Sequence, residues 1–128
     1  QQQNVTLFGH SLGCRVIHST LQSLSTDNKK IIENCFLLGG AVESDEISWR
    51  HPVNSVINEI YNFYSDNDDI LKFLYKIGNI IVSKNAEMSP IGLNPIRNIN
   101  RIENFDVSDI VKGHMEYKEK FKLMLKNI

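Results

Sequence analysis

Residues 9–13, Gly-His-Ser-Leu-Gly, combine residue types and a spacing that suit covalent chemistry. The Gly-x-Ser-x-Gly pattern is typical of a nucleophile elbow, a tight turn between a strand and a helix that holds the serine hydroxyl clear of the sheet. Gly9 and Gly13 are expected where backbone segments approach so closely that a side chain would clash. The amino end of the following helix favours negative charge, so it would stabilise a tetrahedral intermediate at Ser11.

An ordinary glycine-flanked turn with a helix-capping serine would produce the same five residues. The flanking sequence favours the elbow, because Val5–Phe8 is a short apolar run that suits a buried strand and helix-forming residues follow the second glycine. We therefore predict Ser11 as the nucleophile. The backbone amide of Leu12 would supply half of an oxyanion hole, and His10 would line the pocket.

A serine hydroxyl needs a general base to become a nucleophile. An imidazole suits that task because it exchanges its proton near neutral pH. An acidic cluster follows the third predicted strand, and His114 follows the fourth. Serine, acid and histidine in this order match the α/β-hydrolase triad, in which the histidine takes the serine proton and the acid orients the imidazole.

Three aspartates compete for the acid position. Asp68 is favoured, with Asp66 and Asp69 as alternatives, because the acid is expected in the turn that leaves the strand. In the simpler interpretation these carboxylates only cap the following helix at its positive end. In the same way, His114 would be only a surface residue near a helix start.

Three other residues are candidates for structural roles. His18 lies within the first predicted helix and His51 lies in an acidic loop, so neither is placed at the carboxyl end of a strand. Trp49, the single tryptophan, belongs to the same loop. It would either cap an acyl-binding pocket as part of a lid or simply pack in the core.

Strands and helices alternate along the chain. Strands are predicted at Val5–Phe8, Glu33–Leu38, Glu59–Tyr64 and Ile102–Val107. Helical spacing of apolar residues predicts a first helix to about Ser25 (Leu12, Val16, Leu21, Leu24), a helix after Asp69 (Ile70, Phe73, Leu74, Ile77, Ile81) and a terminal helix (Tyr117, Phe121, Met124, Ile128). Val53–Asn58 is predicted as a short helix, and 83–100 as an irregular crossing.

This alternation predicts an α/β fold, with a parallel sheet and helices on both faces. Ligands bind such sheets beyond the carboxyl ends of the strands. The candidate nucleophile, the acidic cluster and the candidate base all follow strands, so one geometry would bring them together.

Composition limits the possible functions. A net charge of −1 and a predicted pI near 6.5 show no electrostatic footprint for nucleic acid. Cys14 and Cys35 are expected to be buried thiols in a reducing compartment, which favours a cytoplasmic location and leaves open membrane association of a parent protein. We predict neither a cofactor nor a metal.

Four segments carry a resemblance to a known family: Gly-His-Ser-Leu-Gly-Cys-Arg-Val-Ile, Leu-Leu-Gly-Gly-Ala-Val, Tyr-Ser-Asp-Asn-Asp-Asp-Ile-Leu and Asp-Val-Ser-Asp-Ile-Val-Lys-Gly-His. They resemble the α/β-hydrolases grouped with the transmembrane and coiled-coil domain-containing proteins. The resemblance implies a serine hydrolase of the lipase or esterase type, with Ser11, Asp68 and His114 as its triad. Ester or lipid substrates are the usual expectation for such enzymes.

Hydrolases of this fold carry further strands before the elbow, so we expect residues 1–128 to form the C-terminal part of a catalytic domain. The absent part would hold the second oxyanion donor, and losing one donor typically costs about 10²–10³ in rate. Val5–Phe8 would then be an open edge that pairs with the missing half or with a second copy. The isolated chain is expected to be weakly active or inactive. A non-catalytic α/β binding module is the alternative function.

Overall fold

The computed structural model describes residues 4–82 and 89–128, with side chains for all of these except 79–82. Within these residues, four strands form one parallel sheet in the order β1-β2-β3-β4. The strands are β1 (Val5–His10), β2 (Ile32–Leu38), β3 (Val56–Tyr64) and β4 (Ile102–Asp106), and the helices are α1 (Gly13–Thr26), α2 (Glu46–Arg50), α3 (Asp69–Val82) and α4 (Tyr117–Met124). The predicted α/β class is confirmed.

Helices cover both faces of the sheet. On one face, α1 packs its buried residues against the strands and against Trp49 of α2. On the other face, α4 packs Tyr117 and Met124 against Phe63, and half-buried aromatic rings surround this cluster. The two cores share the sheet as their middle layer, which gives the three-layer arrangement expected of alternating strands and helices.

The strand register brings the carboxyl ends of the strands to one level. His10, the last residue of β1, pairs with Leu38 of β2; Leu38 in turn pairs with Phe63 of β3, and Phe63 pairs with Phe105 of β4. Because all four strands are parallel, the loops that follow them leave from the same edge. Residues far apart in sequence can therefore meet at that edge.

The third strand begins earlier than predicted. The short helix predicted at Val53–Asn58 is wrong, because only Pro52–Ser55 form a turn of 3₁₀-helix and β3 starts at Val56. Val56 is fully buried and pairs with Ile32 of β2. Sheet pairing and burial therefore decide the conformation of this short segment over local helical preference.

The first helix buries only part of the predicted stripe: Leu21 is buried and Leu24 is partly buried against the core. Leu12 and Val16 are exposed, whereas Cys14, Ile17 and Leu21 face the sheet. The sequence carries two apolar stripes at helical spacing, and periodicity alone does not select between them. The prediction of a buried stripe through Leu12 and Val16 is wrong.

The helix after the acidic cluster is confirmed, but its predicted apolar face is not packed. Among the described side chains of α3, Leu71 is completely buried, whereas the large apolar side chains predicted for its face are substantially exposed: Ile70, Phe73, Leu74 and Ile77. The side chain of Ile81 and residues 83–88 of the predicted crossing lie outside the described part. In the terminal helix Tyr117 and Met124 are buried as expected, and Ile128 is exposed.

The first strand occupies an edge of the described sheet. β1 pairs with β2 alone among these strands, and Val5 and Phe8 are exposed, Phe8 by 60% of its surface. An apolar edge strand offers unpaired backbone groups to a further strand. Among the described residues, no helix combines the length and apolar character needed to cross a bilayer.

Candidate active site

Ser11 occupies a strained turn between β1 and α1. Its φ of +57° lies in the left-handed region, which non-glycine residues avoid at a cost of about 1–3 kcal/mol. The turn is held by hydrogen bonds to the segment that follows β2: the Ser11 N–H donates to the Leu38 carbonyl at 3.1 Å, and the Ser11 carbonyl accepts from the Ala41 N–H at 3.0 Å. Such strain persists where neighbouring structure over-determines it, often at functional sites.

Only one of the two motif glycines is explained by close packing. A Cβ on Gly9 would lie 2.7 Å from Ile17 Cδ1 and 3.2 Å from the Cys14 nitrogen, so α1 can approach β1 only because this position lacks a side chain. A Cβ on Gly13 would meet nothing within 4 Å. The predicted clash at Gly13 is therefore wrong, since this residue begins α1 on its open side.

The backbone N–H of Leu12 lies at the start of α1, directly after Ser11. Leu12 precedes the first residue of α1, where helical N–H groups have no intrahelical partner. Within the described residues this N–H has no hydrogen-bond acceptor. An unpaired donor next to Ser11 is what an oxyanion needs.

The structure brings Asp68 and His114 together. His114 Nδ1 donates to Asp68 Oδ2 at 2.6 Å, and both side chains are buried. This bond fixes the tautomer, because a proton on Nδ1 leaves Nε2 as the basic nitrogen. A carboxylate on one side and a free ring nitrogen on the other match the general-base arrangement of hydrolytic triads.

The other two aspartates lie elsewhere. Asp66 is exposed, and the Asp69 carboxylate pairs with Lys72 at 3.7 Å on the solvent side of α3. Asp68 also accepts a hydrogen bond from the Leu71 N–H through Oδ1 at 3.0 Å. Helix capping and histidine binding, which the sequence presents as alternatives, are therefore combined in one carboxylate, one oxygen for each.

His10 contacts the candidate base directly. Its Nε2 donates to the His114 carbonyl at 2.8 Å, and the two imidazole rings lie 4.7 Å apart between centroids. His10 also lines a cleft together with Leu38 and Phe121. Because Ser11 follows His10 in the chain, these contacts bring the serine turn and the histidine loop to the same edge of the sheet.

Two polar residues that sequence reasoning missed join the acid loop to the histidine loop. Ser65 Oγ donates to the Val111 carbonyl at 2.8 Å. Asn67 Nδ2 donates to the carbonyls of Ser108 and Val111 at 2.8 and 3.1 Å. The available signal was their position on either side of Asp66 in Ser-Asp-Asn-Asp, directly after a strand.

Tyr117 is a buried neighbour of the Asp68–His114 pair. Its helical spacing in the sequence predicted only a core residue. Its hydroxyl is buried without a hydrogen-bond partner among the described residues. Burial raises the pKa of this phenol, and the nearby Asp68 carboxylate raises it further. Its ring lies against Gly39, whose φ of +52° and lack of a side chain make room for it.

Replacing Tyr117 with phenylalanine is expected to leave the free energy of unfolding unchanged or to raise it by about 1 kcal/mol, because the change removes an unsatisfied buried hydroxyl and keeps the ring. Urea unfolding followed by Trp49 fluorescence measures this. Tyr117→Leu, which removes the ring as well, serves as the destabilised comparison. A loss of about 2 kcal/mol in the phenylalanine variant would show that the hydroxyl has a partner.

The other residues that the sequence analysis singled out contribute to packing and local hydrogen bonds. Trp49 is fully buried, donates from Nε1 to the Glu43 carbonyl at 2.8 Å and meets His18 edge to face, so it packs in the core and is not a lid. His18 Nε2 donates to the Ser48 carbonyl at 2.7 Å. Cys14 and Cys35 are free and buried, and burial raises the pKa of each thiol to about 12.

These observations define the class of protein: an α/β protein with a parallel sheet and a buried Asp–His pair at the carboxyl edge of that sheet. The chain belongs to the family described as proteins of unknown function (DUF726), whose model matches residues 1–128. No solved structure matches it significantly.

The chain is similar to parts of three longer proteins. It is 35% identical over 125 residues to "Uncharacterized membrane protein F35D11.3" of Caenorhabditis elegans, covering 94% of this chain and 19% of that protein. It is 34% identical over 128 residues to "Transmembrane and coiled-coil domain-containing protein STS1" of rice, covering 97% of this chain and 18% of that protein. It is 30% identical over 127 residues to "Probable lipase MIL1" of Saccharomyces cerevisiae (97% and 11%). The chain thus spans less than a fifth of the length of each of these relatives.

Proposed function

We propose that this chain carries the catalytic residues of a serine hydrolase that acts on carboxylic esters. The observation that carries the proposal is the buried 2.6 Å hydrogen bond between Asp68 and His114, at the sheet edge where Ser11 holds a left-handed turn. Ser11 is the nucleophile, His114 the general base and Asp68 the acid that orients the imidazole. The turn at residues 9–13 acts as the nucleophile elbow.

The proposed reaction proceeds in two steps. His114 Nε2 takes the proton of the Ser11 hydroxyl while Oγ attacks the ester carbonyl, and the Leu12 N–H stabilises the resulting oxyanion. The imidazolium then gives its proton to the departing alcohol, which leaves an acyl-serine. A water molecule, deprotonated by the same imidazole, attacks the acyl group, and the acid is released as Ser11 recovers its proton.

The relatives support a lipid ester as the substrate class. One of them is named a probable lipase and another a transmembrane and coiled-coil domain-containing protein. The chain would form the C-terminal part of a hydrolase domain. The second oxyanion donor and the cover of the β1 edge would then come from a strand added beside Val5–Phe8, supplied by the rest of a longer protein or by a second copy.

A fluorophosphonate probe tests the proposal, because it reacts with activated serine hydroxyls and needs no knowledge of the substrate. We expect labelling that is lost in Ser11→Ala and retained in Ser19→Ala, a matched change of an exposed serine in α1. With one oxyanion donor proposed among the described residues, labelling is expected to be slow. Labelling that persists in Ser11→Ala would contradict the assignment.

A binding module without catalysis is the second candidate, favoured by the exposed apolar edge of β1. The two functions differ in one measurable respect. A binding module would leave Ser11 unlabelled even in a longer protein that supplies the neighbouring strand, whereas the hydrolase would then be labelled faster.

A further inference from the structure

Each of the three candidate catalytic residues is followed within two positions by an exposed apolar side chain. Leu12 follows Ser11 and is 65% exposed, Ile70 follows Asp68 and is 46% exposed, and Met115 follows His114 and is 70% exposed. Because the catalytic residues lie at one edge of the sheet, these three side chains lie near that edge as well. An isolated exposed apolar residue needs no explanation, but a group around one site does.

Two clefts join these residues to α3. Ile70 and Met115 line one cleft together with His114. Leu12 lines a second cleft with Leu74 of α3 and with Tyr75, whose hydroxyl receives a hydrogen bond from Arg15. The apolar side chains around the site and the exposed face of α3 are therefore one continuous surface.

The exposed face of α3 has the spacing of an amphipathic stripe. Ile70, Phe73, Leu74 and Ile77 stand at i, i+3, i+4 and i+7, and all four are exposed, whereas Leu71 on the inner side is buried. Lys76 lies beside the stripe on the polar side of α3, where Lys72 pairs with Asp69 at 3.7 Å. An exposed apolar stripe beside a lysine-bearing polar side is typical of helices that lie in the interface of a lipid surface.

We infer that this apolar rim, formed by Leu12, Met115 and the α3 stripe, docks on a lipid surface. The inference rests on the proposed function, since it makes the lipid surface the source of the ester. A protein partner or a second copy seated on this rim would block access to Ser11. A lipid surface covers the same side chains and at the same time delivers substrate to the serine.

Co-sedimentation with phosphatidylcholine vesicles, with and without phosphatidylserine, tests the docking. We expect the chain to bind vesicles, more strongly when phosphatidylserine is present. The double variant Phe73→Ser with Leu74→Ser should bind at least about tenfold more weakly, because burial of each side chain is worth roughly 1.5–3 kcal/mol when complete and 1.4 kcal/mol is tenfold in affinity. Lys76→Gln should weaken the preference for phosphatidylserine.

Leu123→Ser with Leu125→Ser is the matched control. These leucines are similarly exposed but lie at the far end of α4, about 12 Å along the helix from the site, so vesicle binding should be unchanged. Circular dichroism and Trp49 fluorescence check that each variant folds. Equal binding by the stripe variant and the wild type, or no vesicle binding together with a stripe-dependent dimer in solution, would overturn the inference.

The docking and the chemistry fail separately in this design. Ser11→Ala should bind vesicles like the wild type, because the rim is intact. Vesicle binding without Ser11-dependent probe labelling would disprove the hydrolase and leave the docking surface. Labelling without vesicle binding would disprove the docking and leave the hydrolase.

Discussion

Asp68→Asn is expected to lower the rate of fluorophosphonate labelling, and of ester hydrolysis, by about 10⁴, the loss typical of the same change in a serine-protease triad. His114 Nδ1 donates its proton to Asp68 Oδ2. An asparagine that turns its amide NH₂ toward the imidazole would force the opposite tautomer, with the proton on Nε2, where it cannot accept the serine proton. An asparagine that offers its oxygen would keep the tautomer but lose the charge that stabilises the imidazolium.

Asp66→Asn and Asp69→Asn are the matched controls, since each makes the same chemical change within three residues of Asp68. Both side chains face solvent, and Asp69 pairs only with Lys72 across the helix surface. Exposed pairs of this kind contribute at most about 1 kcal/mol, so labelling should stay within a few-fold of the wild type. A large loss in Asp66→Asn, or wild-type labelling in Asp68→Asn, would remove Asp68 from the proposed triad.

The preference for Asp68 among three neighbours rests on turn geometry after a strand, which narrows the candidates for the acid. The contact between Asp68 and His114 could not be predicted from sequence alone. The two residues are 46 positions apart, and their contact depends on how their loops are joined. Ser65 and Asn67 make that connection through backbone carbonyls of the histidine loop. Because every residue has a backbone carbonyl, the sequence does not indicate which carbonyls these two side chains will bind.

The errors in the fold share one physical cause, which is that local pattern does not identify the packing partner. Val16 and Ile17 are equally suited to the buried side of a helix. Ile17 is the buried one, because the missing side chain of Gly9 leaves room for it against β1. Val56 sits in a helical-looking segment but enters the sheet because β2 offers it a partner. Periodicity predicted that these elements exist, whereas tertiary contacts decided where they begin and which side they bury.

Gly92→Ala is expected to lower the free energy of unfolding by about 3 kcal/mol, the upper end of the usual cost of overpacking. Its Cβ would lie 2.6 Å from the Gly39 carbonyl carbon and 2.8 Å from the Gly40 nitrogen, and it would also meet Leu71 Cδ1. The two backbone atoms cannot yield as a flexible side chain would. Urea unfolding followed by Trp49 fluorescence measures the loss.

The same substitution is expected to slow probe labelling, because Gly92 holds the acid loop. Its N–H donates to the Gly40 carbonyl at 2.9 Å, and its carbonyl accepts from the Ser65 N–H at 3.0 Å. A shift of Gly92 therefore moves the loop between β3 and α3 that carries Asp68. Gly13→Ala is the control for replacing a glycine as such. With open space around its Cβ, it should leave stability unchanged or raise it by less than about 1 kcal/mol through helix propensity. Equal effects of the two alanines would show that backbone entropy, rather than the approach of residues 39 and 40, explains the glycine at position 92.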